Sequence, residues 1–220
     1  MIKALIFDFD GLILDTEAPD YQAWQEIYRE YGQELSVNVW GRIIGGTGFA
    51  TFDAIAHLEG LVGRPLDGAA LNARWRARGD ELIAAQPILP GVEAHLGAAQ
   101  RQGLRLAIAS SSSHEWVDGH LARLGLLHYF EVVKCADDVQ RAKPDPQLFL
   151  AALAALAIQP GEAIVYEDSP NGVKAAKTAG IFVVAVPNSL TGQLSLDGAD
   201  LLLPSLASLS LEELLQVVTP

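Results

Sequence analysis

Ile2-Lys3-Ala4-Leu5-Ile6-Phe7-Asp8-Phe9-Asp10-Gly11 is the stretch on which the fold turns. Residues 2–9 are apolar nearly throughout and β-prone, the pattern of a strand buried on both faces. The run then stops on two carboxylates and a glycine. The same signature returns at Leu104–Ala109, Ala163–Tyr166 and Ile181–Val186. Helical periods occupy about 91–102, 114–124, 146–157 and 171–179, and Gly103 and Gly180 stand where two of those helices should stop. Strand alternating with helix in this way predicts an α/β fold, a Rossmann-like parallel sheet with helices on both faces.

Residues from about 17 to 86 interrupt the alternation. Tyr21–Tyr31 (with Gly32 behind it), Thr51–Glu59 and Asp67–Ala85 are helical in period, and none leads into a strand. Pro87 and Pro90-Gly91 mark the return to the alternating pattern. The expected division is an α/β core formed by residues 1–16 plus 87–220, with an α-helical cap inserted over 17–86. The linkers cross near 15–20 and 86–90.

Half of the 220 residues are apolar and 19% are charged, which excludes a disordered or fibrous chain. Acids outnumber bases 27 to 15, a formal charge of −12, and this argues against a nucleic-acid partner, whose phosphates are met by basic groups. The single cysteine, Cys135, excludes an internal disulfide and a zinc knuckle. Met1-Ile2-Lys3 runs straight into the first strand without a secretory pattern. The longest apolar run, Leu148 to Ile158, is far short of the roughly 20 residues that span a bilayer. A cytoplasmic protein without a membrane partner is expected. The sequence carries no signal for an oligomeric state and is compatible with a monomer.

Asp8 and Asp10 end the first strand, and on an extended chain they project to the same side. Ligands of open α/β sheets bind outside the carboxyl ends of the strands, where this pair sits. Two adjacent carboxylates are costly unless they share a cation or a proton; otherwise one of them caps a turn. Ser110–Ser113 follows a strand and precedes a helix, which suits either an oxyanion or a simple helix cap. Lys143 precedes Pro144-Asp145-Pro146, and an isolated lysine is ordinarily a solvated surface charge. Glu167-Asp168 ends another strand ahead of Ser169-Pro170-Asn171-Gly172, again open to capping, with Pro170 near the first helical position. Together these residues put carboxylates, hydroxyls and one ammonium at the carboxyl ends of several parallel strands, a combination that capping does not predict.

In order, Asp8-Phe9-Asp10-Gly11-Leu12-Ile13-Leu14-Asp15-Thr16-Glu17, Ser110, Lys143-Pro144 and Glu167-Asp168 resemble the four motifs of the haloacid dehalogenase superfamily. The helical insertion resembles the cap of its subgroup containing phosphoglycolate phosphatase and β-phosphoglucomutase. The resemblance implies that Asp8 is a nucleophile forming an aspartyl-phosphate. It implies Mg²⁺ held by Asp8, the backbone carbonyl of Asp10 and Asp168, with Glu167 direct or through water. Ser110 and the N–H of Ser111 would hold phosphoryl oxygens, and Lys143 would neutralise charge in the transition state. Asp10 would act as general acid and then general base. The superfamily's dehalogenases lack this second Asp, so phosphoryl transfer is favoured over dehalogenation. Replacing Lys143 by Ala is expected to impair catalysis and leave the fold intact.

In the cap, Thr16-Glu17 follows the first motif, in a flexible lead-in to the insertion. Ile44-Gly45-Gly46-Thr47-Gly48 is a glycine-rich loop without the Gly-Lys-Ser/Thr ending of a P-loop. The resemblance makes Thr16, Glu17, Gly46 and Thr47 candidate substrate contacts. The mutases carry a Lys and an Arg in that loop for a second phosphate, and the matching positions here are Ile44 and Gly48, with Arg42 the nearest candidate cation. The five histidines show no metal-ligand spacing. Trp24, Tyr28 and Tyr31 share one helix face and read as cap core, as do Trp40 and Trp75. The leading reading is an Mg²⁺-dependent phosphatase of a small phosphorylated metabolite; a phosphosugar mutase of the β-phosphoglucomutase type is the alternative. A signalling module phosphorylated on Asp is disfavoured, because receiver domains are about half this length and lack a cap.

Overall fold

The structure, a computed structural model, describes residues 1–40 and 52–218. Six parallel strands form one sheet: β1 (Ala4–Phe7), β2 (Arg105–Ala109), β3 (Val132–Lys134), β4 (Ala163–Glu167), β5 (Phe182–Ala185) and β6 (Leu201–Leu202), in the spatial order β3-β2-β1-β4-β5-β6. The first strand is central, and the chain winds outward from it in both directions. All four β1 residues are fully buried, as its apolar run predicts. Their alternation divides the core: Leu5 and Phe7 face one layer, Ala4 and Ile6 the other.

Helices α1 (Glu17–Glu30), α2 (Val37–Trp40), α3 (Ala54–Val62) and α4 (Gly68–Ala84) belong to the insertion after β1. Among the described residues the other α-helices are α5 (Val92–Arg101), which leads into β2, α6 (His114–Arg123), α7 (Gln147–Ala155), α8 (Pro170–Thr178) and α9 (Leu211–Val218). Val92 and Leu96 of α5, Val117 and Leu121 of α6 and Leu214 of α9 pack with Leu5 and Phe7. Leu148 and Phe149 of α7 and Val173 and Ala176 of α8 pack with Ala4 and Ile6. A third cluster belongs to the insertion and joins Tyr21, Trp24 and Tyr28 of α1 to Trp40, Leu58 of α3 and Leu71 of α4; Leu190, from the loop after β5, completes it. The two crossings of the insertion pair with each other through a bridge between Leu14 and Ile88 and a hydrogen bond from Leu89 N–H to the Ile13 carbonyl.

The structure departs from the sequence expectation at short or solvated elements. β3 and β6 have three and two residues, too few for a period to show, and Leu202 of the edge strand is 61% exposed. The first insertion helix begins at Glu17 rather than Tyr21, so Glu17 lies in a helical turn and not in a flexible lead-in. The expected helix start at Thr51, and Arg42, Ile44, Gly46, Thr47 and Gly48, lie outside the described residues.

Candidate active site

The strands of the sheet deliver their carboxyl ends to one place. Asp8 follows β1, and its N–H extends the ladder to the Tyr166 carbonyl at 3.0 Å. Glu167 is the last residue of β4, with Asp168 next. Asp8, Glu167 and Asp168 are at most 4% exposed, and each offers a carboxylate oxygen within 4.8 Å of the others. Lys143 is 1% exposed, not the solvated charge an isolated lysine suggests. Its ammonium donates to Asp8 Oδ1 and Glu167 Oε1, both at 2.6 Å, and so ties the first strand to the fourth.

Both oxygens of Glu167 have partners: besides Lys143 on Oε1, Oε2 accepts from the N–H groups of Asp168 and Ser169 and from the Ser169 hydroxyl. Ser169 also caps α8 by accepting from Gly172 N–H. Gly172 is required here, because a Cβ at that position would overlap the Glu167 carboxyl group. Asp168 differs. Its Oδ2 accepts from the Asn188 amide at 2.9 Å, while its Oδ1 is buried without a hydrogen-bond partner.

Asp10 does not share the Asp8 cluster's partners. The strand ends at Phe7, and a tight turn with Gly11 at φ +77° carries the chain through a bridge between Asp10 and Leu14. The Asp10 carboxylate accepts four hydrogen bonds: from Thr16 Oγ1 (2.9 Å) and Trp116 Nε1 (2.8 Å) on one oxygen, and from Ser110 Oγ (3.2 Å) and Ser112 Oγ (2.7 Å) on the other. The serine run therefore serves two purposes. Ser113 caps α6 at the Trp116 N–H, as a helix start expects, whereas Ser110 and Ser112 turn to Asp10. The Ser111 hydroxyl is buried with no partner.

Burial is the main electrostatic force at this site. It pushes the Asp8 carboxyl up to about 8, helped by the charges of Glu167 and Asp10 and opposed by Lys143. Burial, then Asp8 and Glu167, hold Asp168 well above the usual carboxylate range. For Lys143 burial pulls the other way, yet the two carboxylates raise it above an ordinary lysine. Glu17 is also raised well above its usual range, by burial and by Asp10.

This donor set suits a hard cation. Three acids converge, all oxygen donors, and one oxygen of Asp168 is buried without a hydrogen-bond partner. The buried, unpartnered Ser111 hydroxyl, two residues ahead of the α6 cap Ser113, suits an oxyanion. Of the residues singled out in the sequence, Asp8, Lys143, Glu167 and Asp168 form one cluster, while Asp10, Ser110 and Thr16 form a second, adjoining one. Sequence reasoning missed Trp116 and Asn188, which nothing in the local pattern marked. Ser112 and Ser169 stood within the runs read as oxyanion or cap sites; Ser169 does cap α8, while Ser112 turns to Asp10.

The family model of haloacid dehalogenase-like hydrolases matches residues 5–186. YhcW of Bacillus subtilis (strain 168) is 46% identical over 216 residues, 98% of this chain and 97% of its own length. The validoxylamine A 7'-phosphate phosphatase of Streptomyces hygroscopicus subsp. limoneus is 32% identical over 207 residues, covering 94% and 95% of the two chains. The β-phosphoglucomutase of Bacillus subtilis (strain 168) is 28% identical over 216 residues, covering 96% and 93%. Among solved structures, CbbY from Rhodobacter sphaeroides in complex with phosphate superposes with a TM-score of 0.71 at 30% identity, over 94% of this chain and 96% of that one.

Proposed function

Because the chain belongs to the haloacid dehalogenase-like hydrolase family, we propose that it is a phosphatase of a small phosphorylated metabolite, dependent on Mg²⁺ and working through an aspartyl-phosphate. The observation that carries this reading is the buried Asp8–Lys143 pair beside the unpartnered oxygen of Asp168. A carboxylate at the end of the central strand, held by an ammonium and next to an open oxygen donor, is equipped to attack a phosphorus centre.

In this reading Asp8 is the nucleophile, and Lys143 orients it and spreads the negative charge that builds on the phosphoryl group. Glu167 keeps Lys143 in place. Asp8, the Asp10 carbonyl and Asp168 would hold Mg²⁺, with Glu167 direct or through water. When bound, the ion would supply neutralisation of the repulsion between Asp8 and the phosphate. Ser111, through its N–H and free hydroxyl, takes phosphoryl oxygens. The Ser110 hydroxyl, engaged with Asp10 here, is shared between that role and fixing the general acid–base. Asp10 protonates the leaving alkoxide and then takes a proton from the water that opens the aspartyl-phosphate. Residues 17–86 act as a cap over the site and choose the leaving group, with Thr16 and Glu17 at its hinge-side end. The enzyme works in the cytoplasm in this reading, supported by a single, buried cysteine. Among the described residues no helix is long and apolar enough to cross a membrane.

Incubation with p-nitrophenyl phosphate and Mg²⁺ is expected to release nitrophenol, and EDTA to abolish the release. Asp8→Asn is expected to remove phosphoenzyme formation. The absence of turnover on a broad panel of phosphate esters with Mg²⁺ would sink the reading. The similarity to a β-phosphoglucomutase favours a second reading, a phosphosugar mutase. Ile44 and Gly48, where the mutases carry cations, weigh against it. Conversion of β-glucose 1-phosphate to its 6-phosphate without free phosphate would establish the mutase instead.

A further inference from the structure

Asn188, in the loop after β5, has every polar group of its side chain in use. Its amide nitrogen donates to Asp168 Oδ2 at 2.9 Å and to the Gly11 carbonyl at 3.2 Å. Its Oδ1 accepts from the backbone N–H groups of Leu190 and Thr191, both at 2.9 Å, and its own backbone N–H donates to Thr191 Oγ1 at 2.9 Å. These contacts fix which end of the amide is which: a flipped side chain would set Oδ1 against a carboxylate and a carbonyl, with no hydrogen between them. The turn itself is anchored, since Thr191 is fully buried and Leu190 packs in the cluster of Tyr21 and Trp24.

The consequence falls on Asp168. With Oδ2 held by Asn188, its remaining oxygen, Oδ1, is the buried one without a partner. Gly11 is part of the same arrangement. At φ +77° it brings its carbonyl to the Asn188 amide, and a Cβ there would overlap both the Asp168 carboxylate and the Asn188 nitrogen. Resting on the cation reading above, we propose that Asn188 is a positioning residue for the cation site. It clamps one oxygen of Asp168 between the loops after β1 and β5, and so presents the other to the ion. Partners of this kind typically account for 10–100-fold in metal affinity.

The test is calorimetric titration of Mg²⁺ into the metal-free protein, compared with Asn188→Ser and Asp168→Asn. Serine keeps a hydroxyl acceptor for the turn N–H groups and is too short to reach Asp168. Asn188→Ser is expected to weaken Mg²⁺ binding by about tenfold or more, and Asp168→Asn to abolish it. Urea unfolding in EDTA reports separately whether the turn survives. Wild-type binding with unchanged affinity in Asn188→Ser overturns the proposal. If the wild-type protein itself takes up no Mg²⁺, the cation reading fails and the role of Asn188 falls with it. Should Asn188→Ser not fold, the side-chain amide protons of Asn188 are followed by NMR in the wild type. They are expected to shift in step with calorimetric saturation, and resonances that stay put refute the proposal.

Discussion

Lys143→Met is the sharpest test of the site's energetics, because methionine keeps the apolar stem and removes only the ammonium. The Lys143 side chain is 1% exposed, and its two partners, Asp8 and Glu167, are 5% and 0% exposed. Removing the cation from a buried pair leaves uncompensated charge and costs about 3–5 kcal/mol. Each kcal/mol lowers the melting temperature of a chain this long by about 2–4 °C, so the expected loss is about 6–20 °C. Domains are stable by about 5–15 kcal/mol, so the variant is expected to fold but to sit near the margin. The pH dependence gives the loss its signature. Asp8 in the folded wild type is already pushed up to about 8 by burial and by Glu167, against Lys143, from an ordinary 3.8. Without Lys143 it rises further. A raised carboxyl means that the folded state binds more protons than the unfolded one between those values, so stability falls as pH rises through the window. Relative to wild type, the pH-dependent part of the Lys143→Met deficit opens only above the wild-type value, so the deficit should be larger at pH 9 than at pH 7.5. Urea unfolding in EDTA, followed by circular dichroism at both pH values, measures it. A variant within about 1 kcal/mol of wild type at pH 9, below the cost of a broken buried pair, would refute the argument, as would a deficit that grows on acidification.

Trp116→Phe keeps an aromatic ring against His120 but loses the N–H that holds Asp10; turnover of p-nitrophenyl phosphate is expected to fall about tenfold, the worth of a hydrogen bond to a charged group. An unchanged kcat would remove Trp116 from the site. His114 lies between Asp118 at 3.1 Å and Asp138 at 2.8 Å; burial pulls its pKa down, but the two carboxylates raise it above 6.5. Its contribution to stability is therefore complete below 6.5 and lost as pH rises through the raised value. The stability difference between wild type and His114→Gln should shrink from pH 6 to pH 9 in urea titrations, and a difference flat with pH would contradict the pairing. Gly172→Ala drives a methyl group into the Glu167 carboxyl and is expected to cost about 1–3 kcal/mol, read by thermal unfolding. A melting temperature equal to wild type would show that Glu167 has room to move.

The fold was legible wherever burial writes a period into the chain. β1, β2, β4 and β5 are mostly buried, and their apolar runs name them within two residues at either end. β3 carries only half-buried residues and β6 lies at the edge, so neither leaves a run long enough to read. The site was legible as a set of motifs but not as a set of contacts. Lys143 looks like any surface lysine in the sequence, whereas its burial between two acids means that Lys143→Ala is expected to cost stability as well as catalysis. Asp8 and Asp10 read as one pair on an extended strand. The turn at Gly11 separates them into two networks, one built on Lys143 and one on serines, Thr16 and Trp116. Asn188 meets Asp168 across 20 residues of chain through a loop with no periodic signature. Its contact exists only once β5 is laid beside β4.

The acid surplus of the chain, 27 against 15, looks at first like a poor setting for an anionic substrate. The site makes the conflict local and then bounds it. Asp8, Asp10, Glu167 and Asp168 carry −4 if all are ionised, and Lys143 returns +1, leaving −3 across two adjoining clusters in which all but the half-buried Asp10 are almost wholly out of water. Burial opposes that state, which is why Asp8 is pushed up to about 8 and Asp168 is held well above the usual carboxylate range. Positive charge has to enter either as protons on these carboxyls or as a cation among their oxygens. Protons on Asp8 would cost the nucleophile its lone-pair density, so under the proposed chemistry a cation is the productive alternative and protons are its competitors. The surplus of acid is then not an obstacle to phosphate. In the proposed mechanism it is what calls for a cation first, and a phosphate arriving beside that cation would meet a neutralised pocket with the buried, unpartnered Ser111 hydroxyl in the turn ahead of α6.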